Sequence, residues 1–544
     1  MRRTEFEAAS PRVPATMMTQ HPDAASRYVP IQEEPKEAIM ALTPPPRGLG
    51  LDEVMVDFEG KLTPYQQTSQ IVVGLAEAGL MSGRDVFVTP RIPSGEEEGV
   101  FRQLMALMSV VESNYRAFKK HGVYAVREVI LPMTRSAKEL VSVRERVNDV
   151  IALAHKEFGL SPDPKIISLI PLFETAPQIL GVFEELSSYV EASAELGAEL
   201  SRMRYMLGLS DLALSYGFAA AAIAVKLGID DGYRLAAEKG LEVAPILGGG
   251  TLPFRGRLAP ENLENLLLDY SGVRTITIQS AMRYDRGAEE TRRFAEELRK
   301  RLPKTEPSPI PSRQFLLDAI GIFSKHYLTT FYKLMSVASA LSDIVPRQRD
   351  RLARKGESGY ARDVPHPNLI AEFVSEPDLA RQLREIAVPE KAELPRAISY
   401  AAALYSIGLP PEIIGTGRGL SELIGRFGLD ALAKLQSQFR GLRSGLSFSL
   451  RFTQLEVAAD FLSEEALFEV EEDLRWISEL LGIDPGPVTK EDRLYHTVLE
   501  AMRPMLKELV GVGEEERLIT DESVEGGLVR DWIVRLGCLR GGLG

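Results

Sequence analysis

With Cys538 as its only cysteine in 544 residues, the chain has no partner for an intrachain disulfide and no thiolate set for zinc, which suits a reducing cytosol. The thiol itself reads as structural. No long Lys/Arg block is present and the formal net charge is −13, so no nucleic-acid partner is expected and any anion must be met by a local basic pocket. The longest apolar run, residues 218–225, is far short of the roughly 18 residues that suggest a membrane span, so no membrane partner is expected either. Met1-Arg2-Arg3 leads into Thr4, Glu5 and Glu7 instead of an apolar core, which argues against an export signal. Tandem repeats and low-complexity segments do not stand out. A hydrophobic share of 44% beside 26% charged residues is that of a folding chain, and the length suggests one large barrel plus an appended helical region.

The pattern along the chain gives that outline substance. Residues 1–50 carry Pro14, Pro22, Pro30, Pro35 and the run Pro44-Pro45-Pro46, which forbid a long helix and suggest an arm or lid bearing His21. Short β-rich runs follow at 53–58, 85–89, 128–131, 166–172, 204–207, 242–247 and 275–278. They recur at roughly 30 to 45 residues with helical patterns between, the rhythm of βα units. The reading is an α/β fold, a (β/α)8 TIM-type barrel over 51–415 with inserted helices, followed by a helical region at 416–544 packed on it. The candidate eighth strand is Asp343-Ile344-Val345-Pro346-Arg347, after a long helical stretch starting near Ser312. The final residues, 540–544, read as a flexible tail.

Barrel enzymes place reactive side chains at the carboxyl ends of their strands. Glu174 follows the apolar run 166–172 and Asp211 follows the next strand, so two carboxylates come to neighbouring strand ends, a minimal set for a magnesium ion. The competing reading is a pair of helix caps or ion-pair partners. Gly248-Gly249-Gly250 leads to Arg255 and Arg257: glycines let backbone N–H groups approach an anion, and either arginine could grip phosphate oxygens, unless the loop is a plain turn. Arg91, Arg135, Gln279 and Arg283 also follow strands; each could be structural, but together they would build the pocket that an acidic chain needs. Asp57, Glu59 and Lys61 crowd the end of the 53–58 strand and suggest an internal network. His21, taken alone, reads as a surface or capping residue.

Several segments in order resemble phosphoenolpyruvate carboxylase of the shorter, archaeal type. Residues 19–23 are similar to its Thr-x-His-Pro element, Pro171 to Thr175 to its metal strand, 57–65 to its Asp-Phe-Glu-Gly-Lys segment, 250–256 to its Gly-x-Leu-Pro-Phe-Arg-Gly loop, and Arg396-Ala397-Ile398 with Leu409-Pro410 to a C-terminal element. The resemblance implies carboxylation of phosphoenolpyruvate by bicarbonate with Mg2+ or Mn2+ on Glu174 and Asp211, in a homotetramer. It also implies roles: His21 as proton acceptor, Arg255 on the phosphoryl group, and Arg91 and Arg347 beside anionic intermediates. Gly249, Gly250, Lys61, Arg135, Gln279, Arg283 and Arg396 would then bind substrate. Leu214 stands where the longer enzymes have a lysine, so that lysine's role does not carry over. A magnesium-dependent pyruvate-enolate lyase would use the same carboxylates but leave the Arg255 loop idle, and a barrel that only binds a metabolite is a third reading.

Overall fold

A computed structural model describes residues 12–20, 22, 25–349, 364–390, 394–511 and 523–544. Eight parallel strands close into a barrel: β1 Thr16–Thr19, β2 Glu53–Asp57, β3 Phe87–Arg91, β4 Glu128–Leu131, β5 Ser168–Phe173, β6 Arg202–Gly208, β7 Glu242–Gly248 and β8 Thr275–Gln279. Seven of these coincide with the β-rich runs of the sequence. The eighth does not. Asp343 and Ile344 end the 32-residue helix Arg313–Ile344, and the barrel is closed instead by β1, which pairs with both β2 and β8. The physical reason is visible in the burial pattern: Leu334, Ala338, Leu341 and Ile344 continue one helical face into the core, so the apolar pair Ile344-Val345 is the end of that face.

The interior of the barrel is filled by Met17, Met55, Ile130, Ile170, Leu172, Met206 and Ile246, and the outward-facing residues of the strands join one continuous core with the surrounding helices. Below this layer, at the amino ends of the strands, Arg204 donates to Glu53 and Glu128. Burial alone would lower the pKa of Arg204, but the two carboxylates outweigh it and raise it. The helices Ala397–Tyr405, Thr416–Phe427, Glu464–Leu481 and Lys490–Val510 stack beyond the long helix Arg313–Ile344. Among the described residues, no helix is long and apolar enough to cross a membrane.

Candidate active site

Local sequence fixes where each carboxylate stands. Thr175 opens the helix Ala176–Leu180 with a capping box, and Gln178 Oε1 accepts from the main-chain N–H groups of both Glu174 and Thr175, which holds Glu174 at the end of β5. Glu174 Oε2 accepts the N–H of Met133 at 3.3 Å, and Met133 holds φ 50°, a left-handed conformation uncommon outside glycine. Asp211 lies in the first turn of the helix Leu209–Tyr216, directly after β6. Between them is Gly208: a Cβ there would stand 3.2 Å from Glu174 Cγ, so glycine keeps open the space between the two acids. Leu214, on the same helix as Asp211, is fully buried and serves the core.

Opposite these acids is a network of buried charge. Arg91, at the end of β3, donates Nε and Nη2 to the two oxygens of Asp57 at 2.8 and 2.7 Å, and its Nη1 meets Glu59 at 2.8 Å. Lys61 forms a second ion pair with Asp57. Burial raises the Asp57 pKa, but Arg91 and Lys61 outweigh it and hold the carboxyl well below the usual carboxylate range. Burial, reinforced by Arg349, pushes the Lys61 ammonium down to about 7 in spite of Asp57. Arg349 donates to Gln20 Oε1 at 2.7 Å and pairs with Glu34 at 2.6 Å, while Gln20 Oε1 also accepts the main-chain N–H of Asp57.

The glycine-rich loop brings in Arg255, whose side chain is 2% exposed. Its Nε donates to Ser210 Oγ at 2.9 Å, and its Nη1 to Gln279 Oε1 at 3.2 Å and to the main-chain oxygen of Gly544 at 2.5 Å. Burial pushes this guanidinium down to about 9. Arg257 turns the other way, donating to the Ser444 carbonyl and lying over the Phe448 ring, which settles which of the two arginines faces the strand ends. Residues 541–544 are docked, contrary to the flexible tail expected: a Cβ on Gly544 would stand 2.2 Å from the Ile398 carbonyl.

These groups enclose a cavity of about 140 Å³ at the carboxyl ends of the strands. Of the residues singled out in the sequence, Lys61, Arg91, Glu174, Asp211, Gly249, Arg255, Gln279 and Arg396 line it. Gly250 stands behind Arg255, its N–H bonded to the Arg255 carbonyl. Arg135 pairs with Glu97 and is 42% exposed, and Arg283 pairs with Glu37 against the Tyr284 ring, so neither lines the cavity. Arg347 is 78% exposed and stands 3.8 Å from Asp343. Arg349, two residues on, is buried against Gln20 and Glu34, and neither it nor the cavity-lining Gln20 and Ser210 was singled out as a site residue from the sequence. His21 lies outside the described residues; its neighbours Gln20 and Pro22 line the cavity.

A larger cavity of about 620 Å³ opens at the opposite mouth, where Arg202, Arg204 and Lys239 are answered by Glu242, Glu53 and Glu191, with Arg12, Arg127, Arg144 and Lys165 also in its lining. Barrel enzymes place their reactive groups at the carboxyl ends of the strands, which makes the smaller cavity the candidate site. Among the described residues no cluster of three or more acidic, His or Cys ligands occurs. Glu174 and Asp211 both line the cavity, and two carboxylates could hold a cation that keeps water or substrate in its other positions.

An eight-stranded parallel barrel that gathers carboxylates and buried arginines at the carboxyl ends of its strands has the layout of a barrel enzyme. The family is then given by comparison: the family model described as phosphoenolpyruvate carboxylase matches residues 13–544, and the chain belongs to that family. Relatives named phosphoenolpyruvate carboxylase include one from Methanopyrus kandleri, 38% identical over 98% of this chain and 99% of its own. Another, from Methanosarcina acetivorans, is 38% identical over the same shares, and one from Thermofilum pendens is 33% identical over 91% of this chain and 97% of its own.

Proposed function

We infer that the protein carboxylates phosphoenolpyruvate with bicarbonate, giving oxaloacetate and phosphate. The observation that carries this reading is one cavity lined by Glu174, Asp211, Arg91 and Arg255, in a chain whose full-length relatives bear that enzyme's name. Glu174 and Asp211 would hold Mg2+ or Mn2+, which when bound supplies Lewis-acid polarisation of substrate oxygens. Arg255 neutralises the phosphoryl group, and Ser210 and Gln279 fix the direction of its guanidinium. A bicarbonate oxygen attacks phosphorus and the bond from phosphorus to the enol oxygen breaks, leaving carboxyphosphate and the pyruvate enolate.

His21 takes the carboxyphosphate proton, the bond between its carbonyl carbon and the bridging oxygen breaks to give CO2 and phosphate, and the enolate C3 attacks CO2. Arg91, held by Asp57 and Glu59, faces the anionic intermediates. Water must be excluded while the enolate exists, since protonation gives pyruvate, and the Gly544 main-chain oxygen accepts from Arg255, a residue of the cavity wall. A homotetramer in the cytosol is part of the same reading.

The test is a coupled oxaloacetate assay with and without bicarbonate and Mg2+, repeated on Glu174→Gln. Product that depends on both, and falls at least about 100-fold in the variant, is expected. A pyruvate-enolate lyase would release no phosphate in response to bicarbonate.

A further inference from the structure

Arg255 reaches the cavity from a turn whose backbone is itself held from outside the barrel. The N–H of Phe254 donates to Glu412 Oε1 at 2.7 Å. Glu412 lies in the loop between the helices Ala397–Tyr405 and Thr416–Phe427 and is completely buried. Among the described residues the groups acting most strongly on it include no basic side chain, and its Oε2 makes no hydrogen bond. A buried carboxylate without a counter-ion is costly, and an apolar residue of the same volume would fill the space at less cost. Burial pushes this carboxyl up to about 7 in spite of the donors around Oε1.

The contacts of Glu412 run on to the other side of Arg255. Tyr405 donates its hydroxyl to Glu412 Oε1 at 3.0 Å, and the ring of Tyr405 carries the guanidinium of Arg540 at 4.7 Å. Arg540, 2% exposed, donates Nη2 to the Leu543 carbonyl, and the next residue, Gly544, supplies the oxygen that Arg255 Nη1 meets. The path from Arg255 through Phe254, Glu412, Tyr405, Arg540 and residues 543–544 returns to Arg255 as a closed ring of contacts. It ties together three segments far apart in sequence, and Glu412 is its only acidic side chain.

We propose that Glu412 is a positioning residue for the phosphoryl-gripping Arg255: by accepting from Phe254 and Tyr405 it sets the loop and the final residues of the chain in one register. The proposal rests on the phosphoenolpyruvate reading for the identity of the substrate, but its contacts do not depend on it.

The test measures KM and kcat for both substrates in the full-length enzyme. Glu412→Ala is expected to raise KM for phosphoenolpyruvate by about tenfold or more and leave KM for bicarbonate within about twofold. Glu412→Gln, which retains a carbonyl acceptor, is expected to stay within about threefold of the native KM. A residue that only filled core volume would lower the melting temperature without moving KM. Native KM for phosphoenolpyruvate in Glu412→Ala, or equal impairment of Glu412→Gln, overturns the proposal. If Glu412→Ala does not fold, Tyr405→Phe decides, since it deletes one donor to Glu412 and keeps the ring under Arg540; a rise in KM of about threefold supports the proposal and an unchanged KM overturns it. A native enzyme with no turnover of phosphoenolpyruvate would instead refute the activity reading.

Discussion

At the scale of the residue, the site depends on arginines whose environments differ more than their positions do. Arg347 and Arg349 are two residues apart, yet one is solvated and the other is buried between Glu34, Gln20 and Thr63. Arg347→Ala should therefore leave kcat/KM within about twofold of native. Arg349→Ala should lower it by at least about 30-fold and cost about 3 to 5 kcal/mol in stability, because Glu34 is left buried and unpaired. Steady-state kinetics and thermal melting on the pair check both statements. Asp57→Asn should act on the same network: Arg91 loses a bidentate partner and Lys61 its counter-ion, so kcat/KM for phosphoenolpyruvate should fall by on the order of 10- to 100-fold, and a variant with native kinetics would place Asp57 outside the mechanism. The sequence could not separate Arg347 from Arg349, since both follow a helix end and only tertiary packing decides which turns inward. That Glu174, Asp211, Arg91 and Arg255 would stand at one mouth was legible because each ends or follows a strand or a glycine-rich turn.

At the scale of the element, seven strands were legible from apolar runs spaced like βα units, and the eighth was not. β1 is four residues long, Thr16 to Thr19, between prolines, and its strand character comes from pairing with β2 and β8 on either side. Closure is a long-range property, and a run such as residues 343–347 competes for it on local pattern alone. The final residues were misread for a similar reason: Gly541 to Gly544 look permissive, but Gly542 and Gly544 are small because Thr251 and Ile398 press on them. Gly544→Ala should force the chain end away from Ile398 and release the contact to Arg255. The expected result is at least about tenfold lower kcat/KM with a melting temperature within about 2 °C of native, read by kinetics and calorimetry.

At the scale of the whole molecule, the two ends of the barrel divide the work. The amino end joins Arg204 to Glu53 and Glu128, and the carboxyl end gathers groups whose pKa values are displaced by burial and by each other. Asp57 and Glu412 respond to pH in opposite senses. Asp57, lowered in the folded state, contributes stability above its ordinary carboxylate pKa that is lost as pH falls toward its folded value. Glu412 is raised from 4.5 to about 7, so stability is lost as pH rises through that interval, by about 3 kcal/mol at most. Glu412→Gln should thus gain melting temperature relative to native between pH 5 and pH 8, and a difference independent of pH would contradict the assignment.

The most direct test of the central claim follows the oxygen atoms. With 18O-labelled bicarbonate, attack on phosphorus should leave one labelled oxygen in each phosphate released, matched one for one by oxaloacetate. Unlabelled phosphate, or oxaloacetate formed without phosphate, would contradict the account.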